Sequence, residues 1–232
     1  MRQFRIKICG IKTVEDAMRV IESGADAIGL NFYEKSKRYV EAYSAMEIST
    51  AVHSVIATVG VFVNSPSSDI AELAEHLRLS AIQLHGDEEP AIADALDGID
   101  IIRALRVPEA ESDEELEQVT ARVQRDVDHW VSVGVKGILL DAHSKNGFGG
   151  TGEAFNWKVA SRLDVPVPLI LAGGLEPENV EDAILGVAPD AVDVASGVEA
   201  STGGKDRGKM LRFSTNAREA FERLKEQQGE SG

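Results

Sequence analysis

The sequence has a single cysteine, Cys9, which excludes an intramolecular disulfide framework and fits a reducing compartment. Five scattered histidines, His53, His76, His85, His129 and His143, add no zinc-ligand spacing to that lone thiol, so no metal site is expected. Basic residues are few: 24 Lys and Arg stand against 39 Asp and Glu, a formal net charge of −15. Duplex nucleic acid and anionic membranes both need clustered cations, so neither is expected as a partner. Long apolar runs are missing too, since the longest near-apolar stretch, residues 55–63, falls far short of the roughly 20 residues of a membrane helix. Charges interrupt the apolar stretch of residues 1–9, so no signal-peptide core is expected there and the expected location is the cytoplasm. Linker-like and low-complexity segments are likewise lacking, apart from a polar tail at residues 226–232 that is expected to fray.

What is present is a globular composition with 43% apolar residues, enough for a chain of this size to bury about 70% of its unfolded surface. Short β-rich apolar runs recur at 4–9, 27–32, 55–63, 81–84, 99–105, 137–141, 167–172 and 191–195. Between them, apolar residues recur with helical spacing at 14–21, 45–52, 70–77, 90–96, 114–131, 157–163, 180–185 and 210–224. Helix-start signals stand at Thr13, at Ser67 and Ser68, and at Pro177. Unbroken βα alternation implies parallel strands joined by right-handed crossovers, and eight such units predict one α/β domain, a (β/α)8 barrel over residues 1–225. A doubly wound sheet is the competing architecture, but no reversal point is evident.

In such a barrel the chemistry sits at the C-terminal ends of the strands. Cys9 ends the first strand just before Gly10, and Asp141 ends the sixth after four apolar or small residues. Either could be inert, Cys9 as a small core residue and Asp141 as a loop cap, yet a carboxylate directly after a buried run is costly without a task. Gly173-Gly174 and Ser196-Gly197 follow the seventh and eighth strands, where a barrel commonly binds phosphate through backbone N–H groups that no Cβ obstructs. Arg38, in the loop after the second strand, offers a planar fork for a carboxylate, and His85 could hydrogen-bond a ligand or simply its own loop. Residues 147–152 formally spell G-x-G-x-x-G but follow the sixth strand rather than the first, which argues against a dinucleotide.

Read together, Lys7-Ile8-Cys9-Gly10-Ile11, Ser36-Lys37-Arg38-Tyr39, Gln83-Leu84-His85-Gly86, Asp141 followed by Gly149-Gly150, Ala172-Gly173-Gly174, and Asp193-Val194-Ala195-Ser196-Gly197-Val198-Glu199 with Lys205-Asp206 closely resemble the phosphoribosylanthranilate isomerases. The resemblance implies a cofactor-free enzyme of tryptophan biosynthesis. It would convert N-(5-phosphoribosyl)anthranilate, a phosphorylated small molecule, into 1-(2-carboxyphenylamino)-1-deoxyribulose 5-phosphate by an Amadori rearrangement. Matched by motif, Cys9 would be the general base and Asp141 the general acid. Arg38 would hold the anthranilate carboxylate, His85 would line the aromatic region and Asp193 would contact the sugar. Gly150, Gly173, Gly174, Ser196 and Gly197 would cradle the phosphate. A thiol acts as base only when ionised, so the pKa of Cys9 is expected below the free value of about 8.5. The chain would act as a monomer or homodimer. It departs from the family pattern at Ala142, at Thr202 and in a longer segment at residues 108–135. Alternatives are another phosphate-binding sugar isomerase, with two acids where Cys9 and Asp141 stand, or a non-catalytic phosphate-binding barrel.

Overall fold

Eight parallel strands close on themselves in sequence order, β1 (Ile6–Cys9), β2 (Ala27–Asn31), β3 (Ala57–Phe62), β4 (Ala81–Leu84), β5 (Ile101–Arg106), β6 (Gly137–Asp141), β7 (Leu169–Ala172) and β8 (Ala191–Val194), with β8 pairing back onto β1. A helix follows each: α1 (Val14–Ser23), α2 (Ala42–Val52), α3 (Ser67–His76), α4 (Ile92–Ala95), α5 (Asp113–Ser132), α6 (Phe155–Ala160), α7 (Val180–Val187) and α8 (Arg207–Gly229). The computed structural model describes residues 4–108, 110, 112–141, 155–201 and 204–229. The expected (β/α)8 barrel is therefore the architecture found.

Strands of a closed parallel barrel are covered on both faces, and the two faces build separate cores. Outward side chains such as Ile8, Ile28, Ile82, Leu140 and Val192 pack beneath the helices against Ala17, Ile48, Ile70, Val127, Ile184 and Phe213. Burying each large aliphatic there contributes about 1.5–3 kcal/mol before chain entropy is subtracted. Inward residues form a second cluster that includes Ala27, Ala57, Val59, Ala81, Ile102, Leu139 and Ile170. Strand register aligns that inner set across neighbours, with Ala27 opposite Ala57 and Leu139 opposite Ile170. The same alternation turns Lys7 and Cys9 of β1, Gln83 of β4, Asp141 of β6 and Asp193 of β8 toward the barrel axis or its mouth. The interior thus changes from small and apolar below to polar above.

The helices start for local reasons. Thr13 caps α1 by accepting a hydrogen bond from Asp16 N at 3.1 Å, and Ser112 does the same for Glu115 N at 3.2 Å on α5. Three acids, Asp113, Glu114 and Glu115, then occupy the first turn of α5, where the helix dipole favours them. This long helix absorbs the extra length read in residues 108–135. Elsewhere the boundaries differ from expectation. Helix α4 keeps only Ile92–Ala95, while α7 begins at Val180, as its apolar spacing implies, but runs on to Val187 and has Asn179 rather than Pro177 at its cap position. Helix α8 runs through Gly229, so residues 226–229, expected to belong to a frayed tail, are helical.

Candidate active site

Cys9 closes β1 with its side chain buried, directly across from Gly29 of β2. A Cβ at position 29 would lie 2.6 Å from Cys9 Sγ, so the thiol occupies the space that a side chain on β2 would fill. Two residues earlier on the same face is Lys7, fully buried, whose Nζ donates to Asp193 Oδ2 at 2.8 Å and to Gln83 Oε1 at 3.1 Å. Burial alone would pull the pKa of the Lys7 ammonium down, but Asp193 and Cys9 beside it more than compensate and raise it. Burial likewise pushes the Cys9 thiol up; Lys7 opposes this, Asp193 reinforces it, and Lys205 and Arg38 oppose it again, with a net rise. The expectation of a depressed thiol is therefore not met. Removing a thiolate from water costs more here than the surrounding cations return.

Asp193 has a second oxygen, Oδ1, that is buried and has no hydrogen-bond partner among the described residues. An orphaned carboxylate oxygen at such a site is an open acceptor, suited to a ligand hydroxyl. On the far side of Gln83, its Nε2 lies 2.9 Å from His85 Nδ1, and His85 Nε2 lies 3.3 Å from Asp141 Oδ2. Asp141 and His85 side chains are each 25% exposed, so the acid stands at the mouth rather than in the core. The loop that carries His85 is pinned from beneath by Glu88. Its carboxylate pairs with Arg103 at 2.5 Å and accepts from Gly86 N and Asn64 N.

Arg38 reaches the same mouth from the β2 loop, and its fork is engaged by Glu199: Nε to Oε1 at 2.5 Å and Nη2 to Oε2 at 3.2 Å. Lys37 and Lys205 approach the same carboxylate at 3.2 and 3.4 Å. Burial works to raise the Glu199 pKa, but Arg38, Lys205 and Lys37 together bring it down to about 2. Gly173 and Gly174 both have positive φ, 85° and 65°, which L side chains seldom adopt. Ser196 and Gly197 open a short 3-10 turn, Ser196–Val198. A Cβ on Gly197 would sit 1.9 Å from the Leu175 carbonyl oxygen, so the loops after β7 and β8 touch through this glycine. A valine at 197 would break that loop contact as well as obstruct an anion, so the substitution does not isolate phosphate binding.

The structure thus brings Cys9, Arg38, His85, Asp141 and Asp193 to one end of the barrel, with Gly173, Gly174, Ser196 and Gly197 on the adjoining loops. Gly150, Ala142 and Thr202 lie outside the described residues. Lys7, Gln83, Glu88 and Glu199 join them here, with roles that only the fold reveals. A lysine between Ile6 and Ile8 in a strand buried on both faces was the available signal, because such a charge must find a partner. A cavity of about 450 Å³ at the opposite end, lined by Phe4, Arg5, Asp26, Asp190 and Phe221, touches none of these groups.

Cys9 and Asp141 stand three strands apart round one barrel mouth, β1 to β8 to β7 to β6, and the groups that tune the thiol are Lys7, Asp193, Lys205 and Arg38 rather than a histidine. That arrangement suits proton removal at one atom and proton delivery at another, the equipment of a barrel enzyme that works by general acid–base chemistry. Residues 6–216 match the family model described as N-(5'phosphoribosyl)anthranilate (PRA) isomerase. The N-(5'-phosphoribosyl)anthranilate isomerase of Geobacter sulfurreducens is 41% identical over 214 residues, covering 92% of this chain and 98% of its own. The crystal structure of the Thermotoga maritima enzyme superposes with a TM-score of 0.77 at 38% identity, covering 93% of this chain and 99% of that one. A second structure, of this isomerase in complex with reduced 1-(o-carboxyphenylamino)-1-deoxyribulose 5-phosphate, gives 0.74 at 37% identity, with coverage of 93% and 99%. The chain belongs to the N-(5'-phosphoribosyl)anthranilate isomerase family.

Proposed function

We propose that this site catalyses the isomerisation of N-(5'-phosphoribosyl)anthranilate, a step of tryptophan biosynthesis, by general acid–base chemistry. Asp141 protonates the ribose ring oxygen, and the ring opens to a Schiff base as the C1–O bond breaks. Cys9, as thiolate, then removes the C2 proton; the C2–H electron pair becomes the C1–C2 double bond of an enolamine. Tautomerisation to the C2 ketone completes the aminoketose. The observation that carries the reading is the placement of one buried thiol and one mouth-facing carboxylate at the ends of β1 and β6.

The remaining residues divide the substrate between them. Arg38, held in place by Glu199, presents its outer edge to the anthranilate carboxylate, and His85 borders the aromatic ring. The free Oδ1 of Asp193 accepts from a sugar hydroxyl. Gly173, Gly174, Ser196 and Gly197 supply backbone donors for the phosphate, which lets so acidic a protein bind an anion. No bound cofactor enters any of these steps. Among the described residues no helix is long and apolar enough to cross a membrane. We place the enzyme in the cytoplasm, as a monomer or homodimer that light scattering tells apart. The test of activity is fluorescence: purified protein added to freshly generated phosphoribosylanthranilate should abolish the anthranilate-type emission at a rate proportional to enzyme. An enzyme-independent rate would reject the assignment.

A further inference from the structure

We infer that Lys7 and Gln83 are positioning residues that couple the base to the acid: one buried ammonium stands beside Cys9 and also orders the hydrogen-bond chain Lys7, Gln83, His85, Asp141. This rests on the acid–base roles given above to Cys9 and Asp141, and extends them to two buried groups that those steps do not use directly.

Chemistry dictates the direction of the chain. An ammonium only donates, so Gln83 must turn Oε1 toward Lys7 Nζ, 3.1 Å away. The amide NH2 then faces His85 Nδ1 at 2.9 Å, and that nitrogen must accept. A neutral imidazole accepting at Nδ1 carries its proton on Nε2, aimed at Asp141 Oδ2 at 3.3 Å. Each link fixes the next, and Gln83, 1% exposed, has no solvent with which to rearrange. Lys7 is likewise fully buried, donates to both Asp193 and Gln83, and lies close enough to Cys9, two residues on along the same face of β1, for its charge to act on the thiol.

Packing alone gives no reason for this arrangement. The inward positions around it hold Ala27, Ala57, Val59 and Ala81, and a buried ion pair is often replaceable by apolar residues without loss of stability. What an apolar residue at position 7 could not do is stand as counter-ion to a thiolate while setting the tautomer of a histidine on the other wall. Among the described residues, the charged and titratable groups facing the thiol are Lys7, Asp193, Lys205 and Arg38, and Asp141 has His85 and its register neighbour Arg106 among its neighbours.

Cys9 is the only cysteine, so the pH dependence of iodoacetamide alkylation reports its ionisation alone and requires no turnover. Lys7→Met should move that midpoint upward by about one pH unit or more. Gln83→Glu keeps the shape of the side chain and an acceptor for Lys7 but offers His85 no donor. It should reverse or ionise the imidazole, visible in the 15N shifts of the His85 ring. It should also displace the limb of the pH–rate profile that belongs to Asp141 and lower kcat at least tenfold with circular dichroism unchanged. If Lys7→Met does not fold, Gln83→Glu still decides the matter. An unmoved Cys9 midpoint in folded Lys7→Met, or an unmoved Asp141 limb with the wild-type His85 tautomer in Gln83→Glu, overturns the coupling. Those results leave wild-type turnover intact, whereas absence of turnover in the wild type would strike at the acid–base reading itself.

Discussion

Arg38 and Glu199, 161 positions apart in the chain, meet as a two-pronged ion pair over the barrel mouth, Nε to Oε1 at 2.5 Å and Nη2 to Oε2 at 3.2 Å. The carboxylate holds the guanidinium by one edge and leaves the orientation of the other fixed. An ammonium cannot reproduce this fork, so Arg38→Lys should lose about 1–3 kcal/mol of substrate binding. Glu199→Gln, which keeps the shape but weakens the grip, should raise KM with a smaller effect on kcat. Steady-state kinetics read both. Equal kcat/KM for Arg38→Lys and wild type would make Arg38 a loop residue with no hold on substrate.

The same pair sets an acid dependence of stability. Glu199 falls from an ordinary 4.5 to about 2 on folding, because Arg38, Lys205 and Lys37 outweigh the effect of burial. A depressed folded pKa means that the stabilisation is complete above the unfolded value and is lost as pH falls through the folded one. Between pH 5 and pH 3 wild type should therefore lose about 1–2 kcal/mol that Glu199→Gln does not lose, the figure being reduced for solvent screening. Urea midpoints for both proteins at the two pH values give the comparison. Parallel losses would remove Glu199 from the acid response.

Gly29 offers a test by steric displacement. Its missing Cβ leaves room for Cys9 Sγ, since a methyl there would lie 2.6 Å from the sulfur and 3.0 Å from Cys9 Cα. Gly29→Ala should cost about 1–3 kcal/mol of stability through overpacking. It should cost about 10²-fold in kcat, because a base displaced by an ångström misses its proton. Thermal melting and turnover measured together separate the two effects. A variant that is destabilised yet turns over at the wild-type rate would mean that the thiol's position is immaterial.

The barrel was legible because each strand is an apolar run that helical spacing then interrupts, and eight such units with no reversal point fit a closed barrel better than a doubly wound sheet. Strand ends such as Cys9 and Asp141 stood out as polar residues at the close of apolar runs. What stayed hidden depends on contact across the fold. Glu199 finds Arg38 only when β8 closes against β1, and Gln83 looks like a stray polar residue in β4 until Lys7 and His85 stand on either side of it. The thiol's expected depression failed for a related reason. Sequence supplies the nearby cations but not the depth of burial, which here outweighs them. Short elements were misjudged where loop geometry, not periodicity, sets the boundary, as in α4, which retains only Ile92–Ala95.

The catalytic pair makes the sharpest prediction, and the raised thiol changes its form. The active state needs Cys9 as thiolate and Asp141 protonated, yet a carboxyl is by nature a far stronger acid than a thiol, and burial weakens this thiol further. The working form is then a minority protonation state at every pH, and its population is flat between the two pKa values and falls on either side. The rate should follow a broad bell whose acidic limb reports Asp141 and whose alkaline limb reports Cys9, the reverse of the assignment for a majority state. The alkaline limb of kcat/KM should coincide with the alkylation midpoint of Cys9 in the free enzyme, since kcat/KM reports free-enzyme ionisations. Cys9→Ser and Asp141→Asn should each lower kcat by about 10²–10⁴-fold, the usual size of a general acid–base contribution, while retaining ligand binding by calorimetry. An alkaline limb that stays in place in Cys9→Ser, or near-wild-type turnover in that variant, would return Cys9 to the role of an inert core residue. The C2 proton would then need another base.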